Sequence, residues 1–260
     1  MRNIIKTRVL VIKVRNFGEN DKILTILTDR FGRKNVLAKG ARRIGGKLSG
    51  LMEAYHLLDM EILERNGLDI VQDASLVTSY QVLNDGMSGF GLNSVLLEVI
   101  EKASYFGAED TGIYNILNQY LELYKKNRIS IANNIGSGRV FLTSFMMSVL
   151  ANMGNLPLLD GCWKCGQNLV EGEGWLGEYG YCHHRCYQNE DMFGRASFDN
   201  VNTLTMIMTM SVDDLLMYDF RESESKMVFD YLLYLIDLIF TQKIKSISFL
   251  ECIYNEINDG

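Results

Sequence analysis

The chain has 260 residues, of which 47% are hydrophobic and 22% charged, with Pro157 its one proline. This leaves room for one or two domains with a real core, and it excludes a disordered, fibrous or polyproline-rich chain. The net charge of −6 conceals an asymmetry: residues 1–47 hold 13 Lys or Arg against only Glu19, Asp21 and Asp29, while the rest of the chain holds 13 basic and 29 acidic residues.

In chain order, the first 78 residues read as strands. Arg8–Arg15 and Lys22–Thr28 alternate or run β-branched, Asp29–Gly32 is a turn, and Lys34–Lys39 is a third strand. Tyr55–Arg65 and Leu68–Val77 flank Asn66-Gly67, a hairpin signal. Five strands in this length, with Leu48–Glu53 the one segment that could be helical, suit a small closed barrel of the OB-fold type. From Ser79 the period becomes helical. Helices are expected at Asn93–Phe106, Thr111–Tyr124, Gly138–Met153, Asn200–Met210, Val212–Asp219 and Met227–Phe240, with loops at Gly86–Gly91 and Asn133–Gly138. Met206, Met208 and Met210 are expected to fill core rather than form an adaptable surface. The fold class is therefore α+β: an OB-fold barrel over residues 1–78, then a helical bundle over 79–260 carrying a metal-binding segment at 160–190. The apolar stretches Val140–Met153 and Val228–Phe240 fall short of the roughly 20 residues that a spanning helix needs. The Val9–Ile12 run is too short for a signal peptide. A soluble, cytoplasmic protein is expected.

Basic residues concentrated on an otherwise acidic chain suit a face built for an anion, with nucleic acid the leading candidate. The plainer reading is a strand-rich segment whose outward positions happen to be basic. The acidic remainder would repel DNA, so binding should be confined to the N-terminal part.

Four of the five cysteines form two close pairs, Cys162/Cys165 and Cys182/Cys186, separated by a glycine-rich ribbon. Two such knuckles clamp one tetrahedral zinc ion, and the set implies no open position for catalysis. The expected ligands are Cys162, Cys165, Cys182 and Cys186. His183 is the alternative to Cys182, because it restores a two-residue gap to Cys186. The lone Cys252 is expected to be a buried core thiol.

Enzyme motifs fail on inspection. Gly40–Leu48 resembles a phosphate-binding loop, but its spacing is one residue too long and Leu48 stands where Ser or Thr would hold magnesium. No His-x-Glu deaminase motif exists, and of three histidines (His56, His183, His184) two flank the second knuckle. His56 reads as an ordinary barrel residue. No catalytic residue is assigned.

Three segments carry a family resemblance. They are Phe17–Thr25 followed by Gly32 and Lys39-Gly40-Ala41-Arg42-Arg43; Met153-Gly154 with Pro157–Asp160 and Cys162–Gly166; and Lys245-Ser246 with Phe249-Leu250. In order along nearly the whole chain, they resemble the RecO family of recombination mediator proteins. The departures are the longer second knuckle and the acidic C-terminal part. The resemblance implies a non-enzymatic, nucleoid-associated protein that binds single- and double-stranded DNA and anneals complementary strands. It also implies partnership with RecR and the single-stranded-DNA-binding protein in loading the RecA recombinase. Arg139 is a weak candidate for a pocket that takes a partner's acidic tail.

Arg42, Arg43 and Lys47 fall on a loop where long side chains can reach phosphates, and Lys13, Arg15, Arg33, Lys34 and Lys39 could extend the track. Phe17 and Phe31 could stack on bases or fill core. The metal knuckle could staple the helical domain alone or also touch DNA through Lys164 and Arg185; the staple is the favoured role. Two rival functions remain, an RNA-binding OB protein and a protein-interaction scaffold.

Overall fold

The computed structural model describes residues 3–104, 111–169, 172–188 and 192–259. The expected helix end at 105–106 and residues 170, 171, 189 and 190 of the metal-binding segment therefore lie outside the described residues. The chain divides into two compact units, residues 1–93 with 100–125, and residues 94–99 with 126–260.

The first unit is built on five strands: β1 (Ile4–Phe17), β2 (Asp21–Thr28), β3 (Gly32–Ala38), β4 (His56–Leu63) and β5 (Asp69–Ser79). They hydrogen-bond in the order β1-β2-β3-β5-β4, and β1 returns to pair with β4, so the sheet closes on itself. The length of β1 makes this possible. Its first half pairs with β4 and its second half with β2, and the register shifts between Val11 and Lys13. Such an irregularity bends a strand enough to serve two neighbours. Alternation puts Val9, Val11, Leu24, Ile26, Val36, Leu58, Met60, Ile62 and Val71 inside, where Ala41, Leu48 and Met52 join them. Full burial of each large aliphatic side chain stabilises by about 1.5–3 kcal/mol. Leu48–Glu53 forms turns rather than a helix. His56 is buried, with Nδ1 2.9 Å from the Leu51 carbonyl, as suits an ordinary barrel residue.

The helices are α1 (Gly86–Ala103), α2 (Thr111–Lys126), α3 (Arg128–Asn133), α4 (Ile135–Asn152), α5 (Phe198–Thr209), α6 (Val212–Leu215), α7 (Glu222–Phe240) and α8 (Ser246–Asp259). Both loops expected from glycine content are corrected, because Gly86–Gly91 opens α1 and Asn133–Gly138 is the α3–α4 junction. Gly89 and Gly138 serve close packing. A Cβ at Gly89 would strike the Leu83 carbonyl, and one at Gly138 would strike the Tyr254 hydroxyl and the Ile131 carbonyl. Asn134 caps α4, its side chain accepting from the Ser137 amide at 2.8 Å.

In the second unit α4 is buried on nearly every side, through Val140, Phe141, Leu142, Phe145, Met146, Val149 and Leu150. A helix apolar all round is a core helix. The start of α8 is held by Glu98, whose carboxylate accepts from the amides of Lys245 (2.9 Å) and Ser246 (2.8 Å) and from the Ser246 hydroxyl (2.8 Å). A carboxylate there satisfies otherwise orphaned donors and complements the helix dipole.

Two core expectations are corrected. Met208 and Met210 are exposed, and Met208 lines a groove with Leu156, Leu158, Tyr179 and Leu238. The core face of α5 is instead Val201, Leu204 and Ile207. Cys252 is exposed as well, because α8 turns Leu250, Ile253 and Tyr254 inward. A three-stranded sheet, unforeseen in the sequence, comprises β6 (Glu173–Gly177), β7 (Gly180–His183) and β8 (Gly194–Ser197) in the order β7-β6-β8. Among the described residues no helix is long and apolar enough to cross a membrane.

Candidate nucleic-acid interface and metal centre

The eight basic residues expected to meet DNA separate by their partners. Lys13 is paired with Glu101 at 2.9 Å, Lys34 with Asp69 at 3.0 Å and Lys47 with Asp73 at 2.9 Å. The Lys47 hydrogen bond holds the Asp73 carboxyl below its usual range. Arg33 is half-buried, donates to the Glu101 carbonyl, and burial lowers its pKa. Arg15, Lys39 and Arg43 are exposed with no acidic partner among the described residues. Arg42 is exposed and donates to the Gly18 carbonyl at 3.0 Å, a contact that leaves its charge uncompensated.

Register brings these four residues to one end of the barrel. Phe17 pairs with Asp21 where β1 turns into β2, and Lys22 pairs with Ala38 at the end of β3. The β1–β2 turn and the segment after β3 are therefore neighbours. The Arg42 amide donates to the Asn20 carbonyl at 2.9 Å, and the Gly40 amide donates to Asp21 Oδ1 at 2.8 Å. Phe17 is half exposed beside this junction, and Phe31 is half-buried with the Lys34 ammonium 5.9 Å from its ring centroid. By contrast, a cleft on the barrel wall lined by Lys6, Arg8, Asp59, Glu61 and Asp73 has its cations neutralised: Lys6 pairs with Glu61 and Arg8 with Asp59. Arg139 proves buried in α4, 3.5 Å from Glu222 and over the Tyr254 ring, so it is not available as a surface anchor.

In the second unit a donor cluster forms where the Cys162–Gly166 turn meets β7. The ligand atoms of Cys162, Cys165, His183 and Cys186 all lie within 4.8 Å of one another. The turn is closed by the Gly166 amide on the Cys162 carbonyl at 2.8 Å, and the Trp163 amide ties it to the Tyr181 carbonyl at 3.0 Å. His183 Nδ1 is 3.4 Å from Cys165 Sγ, and Nε2 is 3.0 Å from the Asn168 carbonyl. A proton on Nε2 satisfies that carbonyl and leaves Nδ1 as a lone-pair donor facing the thiols, the usual outer support of a metal-bound histidine. Burial disfavours the Cys162 thiolate, but amides of His183, Cys165 and Lys164 outweigh it, and the net shift is downward.

Cys182, expected as the fourth thiolate, stands outside the donor cluster, and His183 takes that place. The His183 ring reaches Cys165 at 3.4 Å, whereas the Cys182 thiol lies against Cys162 and the His183 carbonyl. Cys182 is buried with its thiol 3.5 Å from the His183 carbonyl, and burial, then the neighbouring Cys162, pushes it up to about 12. None of the five cysteines is in a disulfide. Three thiols and one imidazole suit a tetrahedral ion such as zinc. Lys164 lies over the Trp163 ring at 5.3 Å, and Arg185 donates to Gln167.

Comparison with known proteins finds relatives that share one name. A family model described as Recombination protein O N terminal matches residues 1–80. A protein named DNA repair protein RecO from Alkaliphilus metalliredigens is 27% identical over 233 residues, covering 88% of this chain and 87% of its own. Its namesake from Geobacter metallireducens is 26% identical over 164 residues, covering 63% of this chain and 64% of its own. A third, from Caldanaerobacter subterraneus, is 24% identical over 163 residues and covers 63% of each. The chain thus spans less than two thirds of the length of the second and third relatives. The N-terminal match and the relatives that share one name make the chain similar to DNA repair proteins named RecO along most of its length.

Proposed function

We propose that the chain is a DNA repair protein of recombination that acts without catalysis. In this reading residues 1–78 form an OB-fold that binds single- and double-stranded DNA and anneals complementary strands. Residues 79–260 form a helical domain stapled by one structural zinc held by Cys162, Cys165, His183 and Cys186. The partners are RecR and the single-stranded-DNA-binding protein, with RecA loaded onto the coated strand, and the protein works in the cytoplasm on the nucleoid. The strand order of the barrel supports the OB assignment.

The observation that carries the proposal is the set of uncompensated cations, Arg15, Lys39, Arg42 and Arg43, gathered at one end of the barrel. Two strands anneal only if their phosphate repulsion is screened while base edges stay free. A cationic surface that grips backbones does both. Such binding depends little on sequence and strongly on salt. Anisotropy of a labelled duplex with the full-length protein tests it. With about four phosphates neutralised, affinity should fall roughly 10²-fold between 50 and 200 mM salt. A salt-independent affinity would contradict phosphate neutralisation, and tighter binding to RNA of equal length would favour an RNA-handling role.

A further inference from the structure

We infer that Ile44 is a base-contacting wedge, an aliphatic tip that inserts against the faces of nucleobases in a strand gripped by the cations around it. The inference rests on the DNA-binding reading above and adds a contact to bases.

The loop that carries Ile44 is braced. Ala41 and Leu48, on either side, are buried in the barrel core. Between them the Arg43 amide donates to Gly40 O at 3.0 Å and the Gly46 amide to Arg43 O at 3.0 Å, and the Ser49 amide donates to Gly46 O at 2.9 Å. Gly40 and Gly45 take left-handed φ values of +66° and +72°, which residues with a Cβ rarely adopt. A Cβ at Gly46 would sit 3.0 Å from the Gly40 carbonyl. This bracing holds Ile44 with a relative exposure of 103%, the highest among the exposed large hydrophobics of the described residues.

A single exposed aliphatic residue is ordinary on a protein surface. The setting of Ile44 is what gives it a partner. Arg42 and Arg43 precede it, Gly45 and Gly46 follow it, and Lys39–Met52 contains no acidic residue. The Arg42 guanidinium on the Gly18 carbonyl joins the loop to the turn beside half-exposed Phe17. A strand whose phosphates meet the arginines offers its bases as the apolar surface within reach of the next residue along the loop. Aliphatic side chains do insert between base steps and unstack them, and contact with base faces tolerates any sequence. A wedge on faces also leaves pairing edges open, which strand annealing requires.

The test uses the full-length protein and a single-stranded oligonucleotide carrying 2-aminopurine, whose emission rises when a base is unstacked. Wild type should raise the emission on saturation. Ile44→Ser should remove at least half of that rise and weaken binding by about five- to tenfold. It should leave the slope of log affinity against log salt unchanged, because no phosphate contact is lost. Arg43→Ala should instead reduce that slope by about 0.7, and Ile44→Phe should restore the emission. If Ile44→Ser matches wild type in affinity and emission, the wedge is wrong while DNA binding stands. If Ile44→Ser changes only the protein's mass in solution, the residue belongs to a protein interface and the wedge is wrong. If wild type does not bind the oligonucleotide, both the wedge and the reading beneath it fall.

Discussion

A lysine hydrogen-bonded to a carboxylate brings little net charge to a phosphate, because the carboxylate arrives with it. Lys13, Lys34 and Lys47 are in that position, while Arg42 and Arg43 are not. Lys47→Ala should therefore lower DNA affinity by less than about threefold. Arg42→Ala combined with Arg43→Ala should lower it by roughly 10- to 100-fold and reduce the duplex salt slope by about 1.8. Anisotropy across a salt series reads both, and an unchanged slope in the double variant would remove these residues from the interface. At the metal centre, His183→Ala should cost the protein its zinc, whereas Cys182→Ser should retain one ion per chain, as a colorimetric zinc assay would measure. The reverse pattern would restore Cys182 as the ligand. The basic residues were legible in the sequence as a group. Which of them are neutralised was not, since Glu101, Asp69 and Asp73 lie far along the chain. Likewise either Cys182 or His183 satisfied the ligand spacing, and only the distances in the folded chain separate them.

At the level of elements, glycine was the misleading signal. Runs of glycine read as loops at Gly86–Gly91 and Asn133–Gly138, but here they let helices approach closely. Gly138→Ala should accordingly destabilise the helical unit by about 1–3 kcal/mol, the usual cost of overpacking, read as a lower urea midpoint. A midpoint equal to wild type would show that the α4–α8 contact yields without strain. The long amphipathic stripes of α2 and α7 were readable because their period repeats over several turns. The strands β6, β7 and β8 are only 5, 4 and 4 residues long and glycine-rich, so no periodicity accumulates. A metal ion held by the donor cluster would fasten the Cys162–Gly166 turn to this small sheet. Structural zinc in small sites contributes about 10–16 kcal/mol at neutral pH. Chelation should therefore lower the melting temperature of the helical unit while DNA affinity at fixed salt stays within about twofold of the loaded protein. A loss of affinity in parallel with zinc would show that the knuckle touches DNA, through residues such as Lys164 and Arg185.

Across the whole molecule, charge divides the labour. The first 47 residues carry a surplus of ten positive charges and the remainder a surplus of sixteen negative ones. On the DNA-binding reading, a polyanion is favoured by the N-terminal segment and disfavoured by the rest of the chain. This division was visible in the sequence before any fold was known. Strand count was nearly as accessible, because each barrel strand alternates and is bounded by turn residues. The unpaired cationic end emerged only from the β1–β2–β3 register and the ion pairs. The most direct test of the central claim is annealing of two labelled complementary oligonucleotides by the folded, zinc-loaded protein across a salt series. Acceleration is expected at 50 mM salt, fading toward 200 mM and lost when Arg42 and Arg43 are both replaced by Ala. No acceleration, or one that ignores salt, would contradict strand pairing by phosphate neutralisation.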